Sequence, residues 1–360
     1  MRLAFQNFLP EITDSWEVGA NLTFFKNRLE VDLAYYDGTS KNQIMPVELA
    51  PSSGFGSIMV NAGEVRNNGF EILLSGMAMT RDDFSWDVSL NMSKNISEVV
   101  SLYQGVDRRV ILSGVTGFAF VELRPGEPFG SIYGYDYARN ENGEKLIDEY
   151  GFPVESEYKN LGDINPDLIG GLSNRIAYKN FTLSFLIDFQ LGGEYFSQTK
   201  LYHDLFGTSP GSLEGREEWY STHQGILYGS TIPGIVPKGY VEDGVNQETG
   251  QPNDIAVQPM LRNLNTIYFN KIVSDYIFEA TNVRMREVSL GYNIPQRLLN
   301  GSFIRNINIS FIARNLFFFY NASGDYDPES GFNSGSIGNA FELNPMPSTR
   351  SYGFSLNLNF

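Results

Sequence analysis

The feature that most constrains this 360-residue chain is the regular alternation of apolar and polar residues in many separate segments. From residue 84 to residue 93 every second residue is apolar, and serine, aspartate or asparagine fills the positions between. The segment 181–191 alternates in the same way, with Leu186 as the one apolar residue on its polar side. A period of two residues places successive side chains on opposite faces of a β-strand. We therefore expect an all-β protein whose strands have one apolar and one polar face.

Applied to the whole chain, the same criterion predicts about eleven strands, with boundaries good to a few residues. They span roughly residues 13–25, 28–44, 60–79, 84–100, 115–124, 128–139, 167–178, 181–192, 275–292, 304–318 and 347–360. Short turns and long loops alternate between them. The long loops cover about residues 45–59, 101–114, 140–166, 193–274 and 319–346. This alternation is typical of an antiparallel barrel in an outer membrane, with long extracellular loops.

A soluble β-sandwich also alternates, so strand length and aromatic placement decide between the two folds. Sandwich strands usually have about 5–6 residues, whereas several strands here stay regular for about 10 or more, as a tilted membrane-crossing strand requires. Aromatic residues flank the apolar zone at both strand ends, as at the two faces of a bilayer. They are Phe24, Phe84, Trp86, Tyr178, Phe181, Tyr292 and Phe360 beside the short turns, and Tyr35, Phe189, Phe317 and Phe319 at the opposite ends. We therefore predict an antiparallel transmembrane β-barrel in contact with membrane lipid.

The polar faces of these strands would line the interior of the barrel. The predicted lumen-facing charged residues are Glu17, Asp32, Asp87, Asp188 and Arg314. An odd number of antiparallel strands cannot close a barrel, because the first and last strands point the same way. We therefore expect this chain to be the C-terminal half of a larger barrel. Its last strand alternates up to the final residue, and its outward side chains are a candidate assembly signal: Tyr352, Phe354, Leu356, Leu358 and Phe360.

The composition leaves little material for catalysis or metal binding. The chain has no cysteine and only two histidines, His203 and His223, which disfavours thiolate and histidine-rich metal sites. Ser221 near His223 is a weak catalytic candidate, because the sequence shows no acid that would orient His223. The pair Glu217-Glu218 is also weak, because adjacent residues on a strand face opposite ways. The net charge of −16 argues against a nucleic-acid partner. We predict a protein that is not an enzyme, with no catalytic residue, no cofactor and no metal.

The loop 193–274 is the most informative segment outside the strands. A loop of this length is usually functional or disordered. Aromatic rings stack on sugars and concentrate at protein interfaces, although they can equally form a small core of the loop itself. The candidate residues for contact with a substrate or partner are Tyr195, Tyr202, Trp219, Tyr220, Tyr228 and Tyr240.

Nine stretches between residues 10 and 330 resemble, in order, the SusC/RagA-type TonB-dependent outer-membrane transporters of Bacteroidota. Examples are PEITDSWEVG (10–19), NAGEVRNNGFEI (61–72), VRMREVSLGYNIPQRLL (283–299) and GDYDPES (324–330). The resemblance implies a barrel of about 22 strands with a plug domain. It also implies the outer membrane of a Gram-negative, Bacteroidota-like cell, energy from the TonB complex, and a SusD-like surface lipoprotein as partner. The implied cargo is oligosaccharide or sometimes peptide.

The stretches match only the C-terminal barrel portion of such a transporter. Plug domain, TonB box and signal peptide are therefore expected to be absent from this chain, residues 1–360. Many family members carry a calcium-loop-like D-x-N-x-D-G motif, but the corresponding region here reads NENGE (140–144) and GDIN (162–165). Because the aspartate spacing of a calcium loop is missing, we expect a solvated acidic loop. A soluble β-rich carbohydrate-binding module and a plug-less passive porin remain as alternative functions.

Overall fold

The computed structural model describes residues 2–4, 8–48, 57–61, 63–103, 105–114, 117–223, 232–330, 340–346 and 348–360. Its main element is an antiparallel sheet of nine strands. These strands are β1 (Ile12–Phe24), β2 (Leu29–Lys41), β3 (Gly63–Arg81), β4 (Phe84–Leu102), β5 (Leu168–Tyr178), β6 (Phe181–Leu191), β7 (Asn282–Asn293), β8 (Asn306–Asn321) and β9 (Ser351–Asn359). Each strand pairs with the next along the chain, so within the described residues β1 and β9 have one partner each and the barrel is not closed.

The strand registers join the predicted apolar faces into one continuous surface. Residues directly opposite each other in an antiparallel pair lie on the same face. Leu90 on β4 is opposite both Leu74 on β3 and Leu172 on β5, and Leu172 is opposite Ile187 on β6. We call this surface the apolar face and the opposite surface the polar face. The polar face carries all the charged residues predicted to face the lumen: Glu17, Asp32, Asp87, Asp188 and Arg314.

The connections between the nine strands alternate in length as expected. Residues 25–28, 82–83, 179–180 and 294–305 form short connections at one edge, and 42–62, 103–167, 192–281 and 322–350 form long ones at the other. We call these the turn edge and the loop edge. Beside the turn edge, Phe84, Tyr178, Phe181 and Tyr292 lie opposite one another in successive strands. The rings of Phe181 and Tyr292 are 4.7 Å apart, so this part of the predicted aromatic belt is a continuous row.

Nine strands, rather than the predicted eleven, form this sheet. The predicted strands at 115–124 and 128–139 are instead the short strands Phe120–Leu123 and Ser131–Gly134. They belong to a separate sheet of four strands, together with Arg109–Ser113 and Lys159–Asp163. In both strands consecutive residues are buried, so the side chains on both faces are covered. A strand between lipid and lumen would not be covered in this way. The number of strands in the main sheet nevertheless stays odd, so β1 and β9 point the same way.

The hydrophobic core lies among the long connections at the loop edge, not in the nine-stranded sheet. We call the described residues of 103–167, 192–281 and 340–343 the loop domain. Its core contains Ala119, Val121, Phe196, Leu201, Leu205, Ile267, Val273, Tyr276, Ala340 and Phe341. The rings of Phe196 and Phe341 meet edge to face at 5.7 Å, which joins two connections that are far apart in sequence. The long connections therefore fold together as one unit.

Short elements complete the structure. The helices are α1 (Gln198–Leu205), α2 (Arg216–Thr222) and α3 (Pro259–Leu264), with 3₁₀ turns at Pro210–Leu213, Ser274–Tyr276 and Gln296–Leu298 and a π turn at Asn265–Phe269. The remaining strands are Arg2–Ala4, Ile44–Glu48, Ser57–Asn61, Leu146–Ile147, Glu194–Ser197, Tyr240–Val241, Val245–Asn246, Ala256–Val257, Ile277–Glu279 and Phe341–Glu342. Ser197 caps α1, because its hydroxyl accepts a hydrogen bond from the Lys200 amide. Among the described residues, no helix is long and apolar enough to cross a membrane.

Candidate functional site

A cluster of opposite charges lies on the polar face close to the loop edge. We call it the wall cluster; it consists of Asp188 on β6, Arg284 and Arg286 on β7, and Asp327 and Glu329 in the connection that follows β8. Arg284 donates one hydrogen bond to Asp327 Oδ1 at 2.6 Å and one to Glu329 Oε2 at 3.0 Å. Arg286 forms ion pairs with Asp188 and Glu329. The cluster thus connects Asp327 and Glu329, in the connection after β8, to strands β6 and β7 of the sheet.

A bulge in β7 puts the second arginine in place. The register with β6 and with β8 shifts beside Arg286, so this residue has no directly opposite partner in either strand. A bulge re-aims the side chains around it. The side chains of Arg286 and Glu287 consequently both lie on the polar face, although the two residues are adjacent. Arg286 donates to Asn315 Oδ1 at 3.1 Å, and Glu287 accepts from Arg314 at 2.7 Å.

The acidic partners of the arginines are held by a compact turn, residues 325–330. The Glu329 amide donates to Asp327 Oδ1 at 3.0 Å, and the Ser330 hydroxyl donates to the Asp327 carbonyl at 2.6 Å. Asn321 and Ser323 both donate to the Tyr326 carbonyl at 2.8 Å. These hydrogen bonds are local to the turn, so they set the spacing of the Asp327 and Glu329 carboxylates without help from the arginines.

Inside the loop domain, a buried acid joins three segments of the chain. The Glu242 side chain is 1% exposed and accepts from Lys145 at 2.9 Å and from Arg262 at 2.5 Å. Burial alone raises the pKa of Glu242, but the hydrogen bonds and positive charges of Arg262 and Lys145 outweigh it and hold the pKa below its usual range. Tyr137 completes the network by donating to Asp275. Separating the partners of a buried ion pair is strongly destabilising. This network therefore holds parts of the loop domain together.

A second network lies on the four-stranded sheet. The fully buried Glu122 accepts from Arg124 at 2.8 Å and from the Tyr158 hydroxyl at 2.7 Å. The guanidinium of Arg124 lies 3.8 Å above the ring of Tyr133, a cation–π contact. Burial, followed by the hydrogen bond to Glu127, raises the pKa of Tyr133, so this phenol stays protonated. The network joins Glu122, Arg124 and Tyr158 within this part of the loop domain.

The aromatic residues predicted to contact a substrate or partner have different environments. Tyr195 is 2% exposed and Trp219 is 8% exposed, whereas Tyr220 is 45% exposed. Tyr202 and Tyr240 are half-buried, and Tyr228 lies outside the described residues. Burial raises the pKa of Tyr195 to about 12. Tyr195 and Trp219 therefore pack inside the loop domain, and among the described members of the set Tyr220 is the one whose side chain is exposed.

The weak catalytic candidates do not form a site. The Ser221 hydroxyl donates to the Glu218 carbonyl at 2.8 Å, and the His223 ring stacks on Trp219 at 3.5 Å. Glu217 and Glu218 lie in the first turn of α2 rather than on a strand, so the strand geometry assumed for them was wrong. Among the described residues, no group of three or more His, Asp or Glu side chains could hold a metal ion.

The predicted solvated acidic loop is a closed turn. Asn140 Oδ1 accepts from the amides of Asn142 and Glu144, both at 3.0 Å. The Asn140 amide group donates in turn to Glu144 Oε2 at 2.8 Å. The side-chain oxygens that a calcium loop would use are engaged in the turn itself.

The candidate assembly signal lies on the apolar face of β9. Its residues Tyr352, Phe354, Leu356, Leu358 and Phe360 are all exposed, and Phe354 reaches 83%. Phe354 is opposite Phe311, and Phe360 stacks on Phe303 with ring centroids 5.6 Å apart. The alternation of this strand is as predicted, and its role in assembly stays a prediction.

The wall cluster was not predicted from the sequence. Two signals pointed to it: arginines at alternate positions in VRMREVSLGY (283–292), and three acids in the stretch GDYDPES (324–330). Strict alternation would place both arginines on the apolar face with Val288 and Tyr292, and the bulge beside Arg286 changes this. That they meet Asp327 and Glu329 depends on how the connection after β8 folds back, which no local pattern reveals.

Comparison with known proteins agrees with this architecture. A model of the family "TonB dependent receptor-like, beta-barrel" matches residues 3–234. TonB-dependent receptor P3 of Formosa agariphila is 25% identical over 383 residues, which cover 98% of this chain and 34% of the relative. TonB-dependent receptor SusC of Bacteroides thetaiotaomicron is 25% identical over 193 residues, 50% of this chain and 19% of the relative. The chain thus spans about a third of the length of the first of these relatives, and less of SusC.

A solved structure has the same fold. The structure of the RagAB peptide transporter superposes with a TM-score of 0.70 at 20% identity, covering 97% of this chain and 35% of that chain. Proteins of this kind are outer-membrane receptors and transporters rather than enzymes, which removes the soluble carbohydrate-binding module as an alternative. Since the family model matches more than half of the residues, the chain belongs to the TonB-dependent receptor-like β-barrel family of the outer membrane.

Proposed function

We propose that this chain is the C-terminal barrel portion of a SusC-like transporter, which takes up oligosaccharides or other large nutrients with energy from the TonB complex. The observation that carries the proposal is the nine-stranded sheet with an apolar face, a polar face and two edge strands, β1 and β9, that each have a single partner. Within a bilayer every backbone hydrogen-bonding group needs a partner. Further strands of the same transporter would supply those partners and close a barrel of about 22 strands.

In this proposal the polar face lines the transport pathway and the loop domain lies at its outer mouth. The loop domain is where a SusD-like surface lipoprotein would dock. Tyr220 is our first candidate for that contact because its ring is exposed, and Tyr202 and Tyr240 follow because they are half-buried. Aromatic side chains are enriched in protein interfaces.

The class of cargo is carbohydrate or peptide. The names of similar proteins support both, since one relative is a SusC receptor and one structural neighbour is a peptide transporter. The charged residues on the polar face, such as Asp87 and Arg175 directly opposite each other on β4 and β5, would keep the pathway wet for either cargo.

Production of this chain alone and together with the remaining barrel strands tests the proposal. Alone, the two open edges should cause aggregation or association with other chains. Together with the missing strands on a second polypeptide, the chain should form a heat-modifiable barrel in lipid vesicles. A monodisperse, heat-modifiable monomer that conducts ions, formed by this chain alone, would contradict the proposal and favour a passive porin.

A further inference from the structure

The wall cluster holds the turn 325–330 against the polar face. In the proposed function that face lines the transport pathway. The Arg284 side chain is 4% exposed and that of Asp327 is 12% exposed, so water competes little with their ion pair. Hydrogen bonds between ionised groups are strong in such an environment. The turn 325–330 is therefore held to the wall by charge, and hydrogen bonds between its side chains and backbone join Asp327 to Glu329 and Ser330.

The two carboxylates of the turn occupy a site suited to other carboxylates. An arginine guanidinium is planar and presents a fork of donors that matches a carboxylate. Here the pairing is incomplete: among the described residues, Arg284 Nε, Asp327 Oδ2 and Asp188 Oδ1 are buried without a hydrogen-bond partner. Arg284 thus has one donor, its Nε, that the turn does not use.

Two cavities adjoin the cluster and share Arg284, Asn315 and Ser348 in their linings. One, of about 250 Å³, also contacts Arg286 and the turn itself. The other, of about 640 Å³, also contains Arg350. Without the turn, Arg284 would lose both of its carboxylate partners and Arg286 would keep Asp188, while Arg350 lines the adjoining cavity. The space beside the cluster would then attract anions.

We propose that Arg284 and Arg286 form a carboxylate-binding site in the wall of the transport pathway, blocked by the turn 325–330 until acidic groups of a cargo displace Asp327 and Glu329. The inference rests on the proposed transport function and names the chemistry of the cargo, a chain that carries several carboxylates. Release of the turn without a replacement would take away both carboxylate partners of Arg284, which is unfavourable. Exchange of one pair of carboxylates for another avoids that state, so the cargo itself would open the site.

Titration calorimetry on the transporter that contains this chain tests the proposal, with trigalacturonate and triglutamate as acidic probes and maltotriose as the neutral probe. Neutralising the turn with Asp327→Asn and Glu329→Gln should tighten binding of an acidic probe about 10-fold or more, because the competitor is lost. Adding Arg284→Gln should abolish this gain. The matched control is Glu141→Gln with Glu248→Gln, which removes the same charge from exposed positions of the loop domain and should change nothing.

The acidic probe that gains affinity identifies the source of the carboxylates, sugar or peptide. Equal affinity of the neutralised variant and the unchanged protein for both acidic probes would overturn the proposal. An equal gain for maltotriose would also overturn it, since charge would then play no part.

A cross-link provides a test that keeps all the charges. The chain has no cysteine, so Ser330→Cys with Thr349→Cys, which line the same cavity, introduce the two thiols that a reducible bifunctional reagent can join within this chain. Cross-linking should abolish binding of the acidic probe and reduction should restore it; unchanged binding in the cross-linked protein would refute the blocking role of the turn. All of these are binding measurements. Absence of uptake of every cargo despite the expected binding would contradict the proposed transport function and leave the carboxylate site intact.

Discussion

The assignment of the two faces of the sheet can be tested by placing an arginine at neighbouring positions of β5. Leu172 lies on the apolar face, opposite Leu90 and Ile187, and Ser173 lies on the polar face, opposite Ser89 and Leu186. Both residues are near the middle of β5, and none of their four direct partners is charged. Leu172→Arg and Ser173→Arg therefore differ in the face they occupy and little else.

The cost of Leu172→Arg follows from its position. An arginine that faces lipid near the centre of a membrane barrel destabilises it by about 2–4 kcal/mol, and one that faces the lumen by much less. This difference corresponds to roughly 30- to 700-fold in the folding equilibrium constant. Ser173→Arg would extend into the lumen near Arg175, whose charge is offset by Asp87 directly opposite. We expect its cost to stay below about 1 kcal/mol.

Urea titration of the transporter refolded into phospholipid vesicles measures both costs. The midpoint should fall for Leu172→Arg at an unchanged dependence on urea, because the surface exposed on unfolding stays the same. Leu172→Met and Ser173→Gln are controls for changes of shape without charge. Equal losses for the two arginine variants, or a larger loss for Ser173→Arg, would refute the assignment of the faces.

Three further predictions concern single groups. Trp86→Phe should destabilise the sheet by about 1–3 kcal/mol, because Asn174, which is buried on the apolar face, loses the indole donor at 3.0 Å. Adding Asn174→Leu to this variant should recover stability. If stability is not recovered, that hydrogen bond does not have the role proposed for it. Because the pKa of Glu242 is depressed in the folded protein, its stabilisation is present above the usual 4.5 and is lost as the pH falls through the lower folded value. The protection of loop-domain amides, which is the ratio of intrinsic to observed hydrogen-exchange rate, should fall there, and Glu242→Gln should remove this pH dependence. Deleting Phe360 should deplete the transporter from the outer membrane while the inserted fraction keeps its heat stability, since one exposed ring contributes little to folding; normal surface levels would show that Phe360 is only a belt residue.

The sheet was predictable from the sequence because its physics is local. Each membrane strand must present one face to lipid and one to water, and this requirement repeats every two residues. The two-residue connection 179–180, which places Tyr178 opposite Phe181, fits the same pattern. In the eight pairs of neighbouring strands, the apolar residues stay on one face of the sheet. This holds even across the bulge beside Arg286.

The loop domain was less predictable, because its structure depends on contacts between distant segments. The strands Phe120–Leu123 and Ser131–Gly134 form a hairpin and alternate weakly, so a local criterion placed them in the barrel. Val121 of the first of these strands is buried in a core with Phe196 and Phe341, which are more than seventy positions away from it. The same long-range packing decided that Trp219 is interior and Tyr220 is exposed, although the two are adjacent in sequence.

Two different environments explain how one chain exposes so much apolar surface and still has a core. Trp16 and Phe354 on the apolar face are 55% and 83% exposed, whereas the buried aromatic residues Phe196 and Phe341 lie in the loop domain. A water-soluble protein rarely exposes an apolar patch of this extent. For the sheet, lipid supplies the apolar contacts that a core supplies elsewhere, so its strands need no packing partner on that face. The loop domain stands in water, and so it has to bury its apolar residues and pair its buried charges, such as Glu242, within itself.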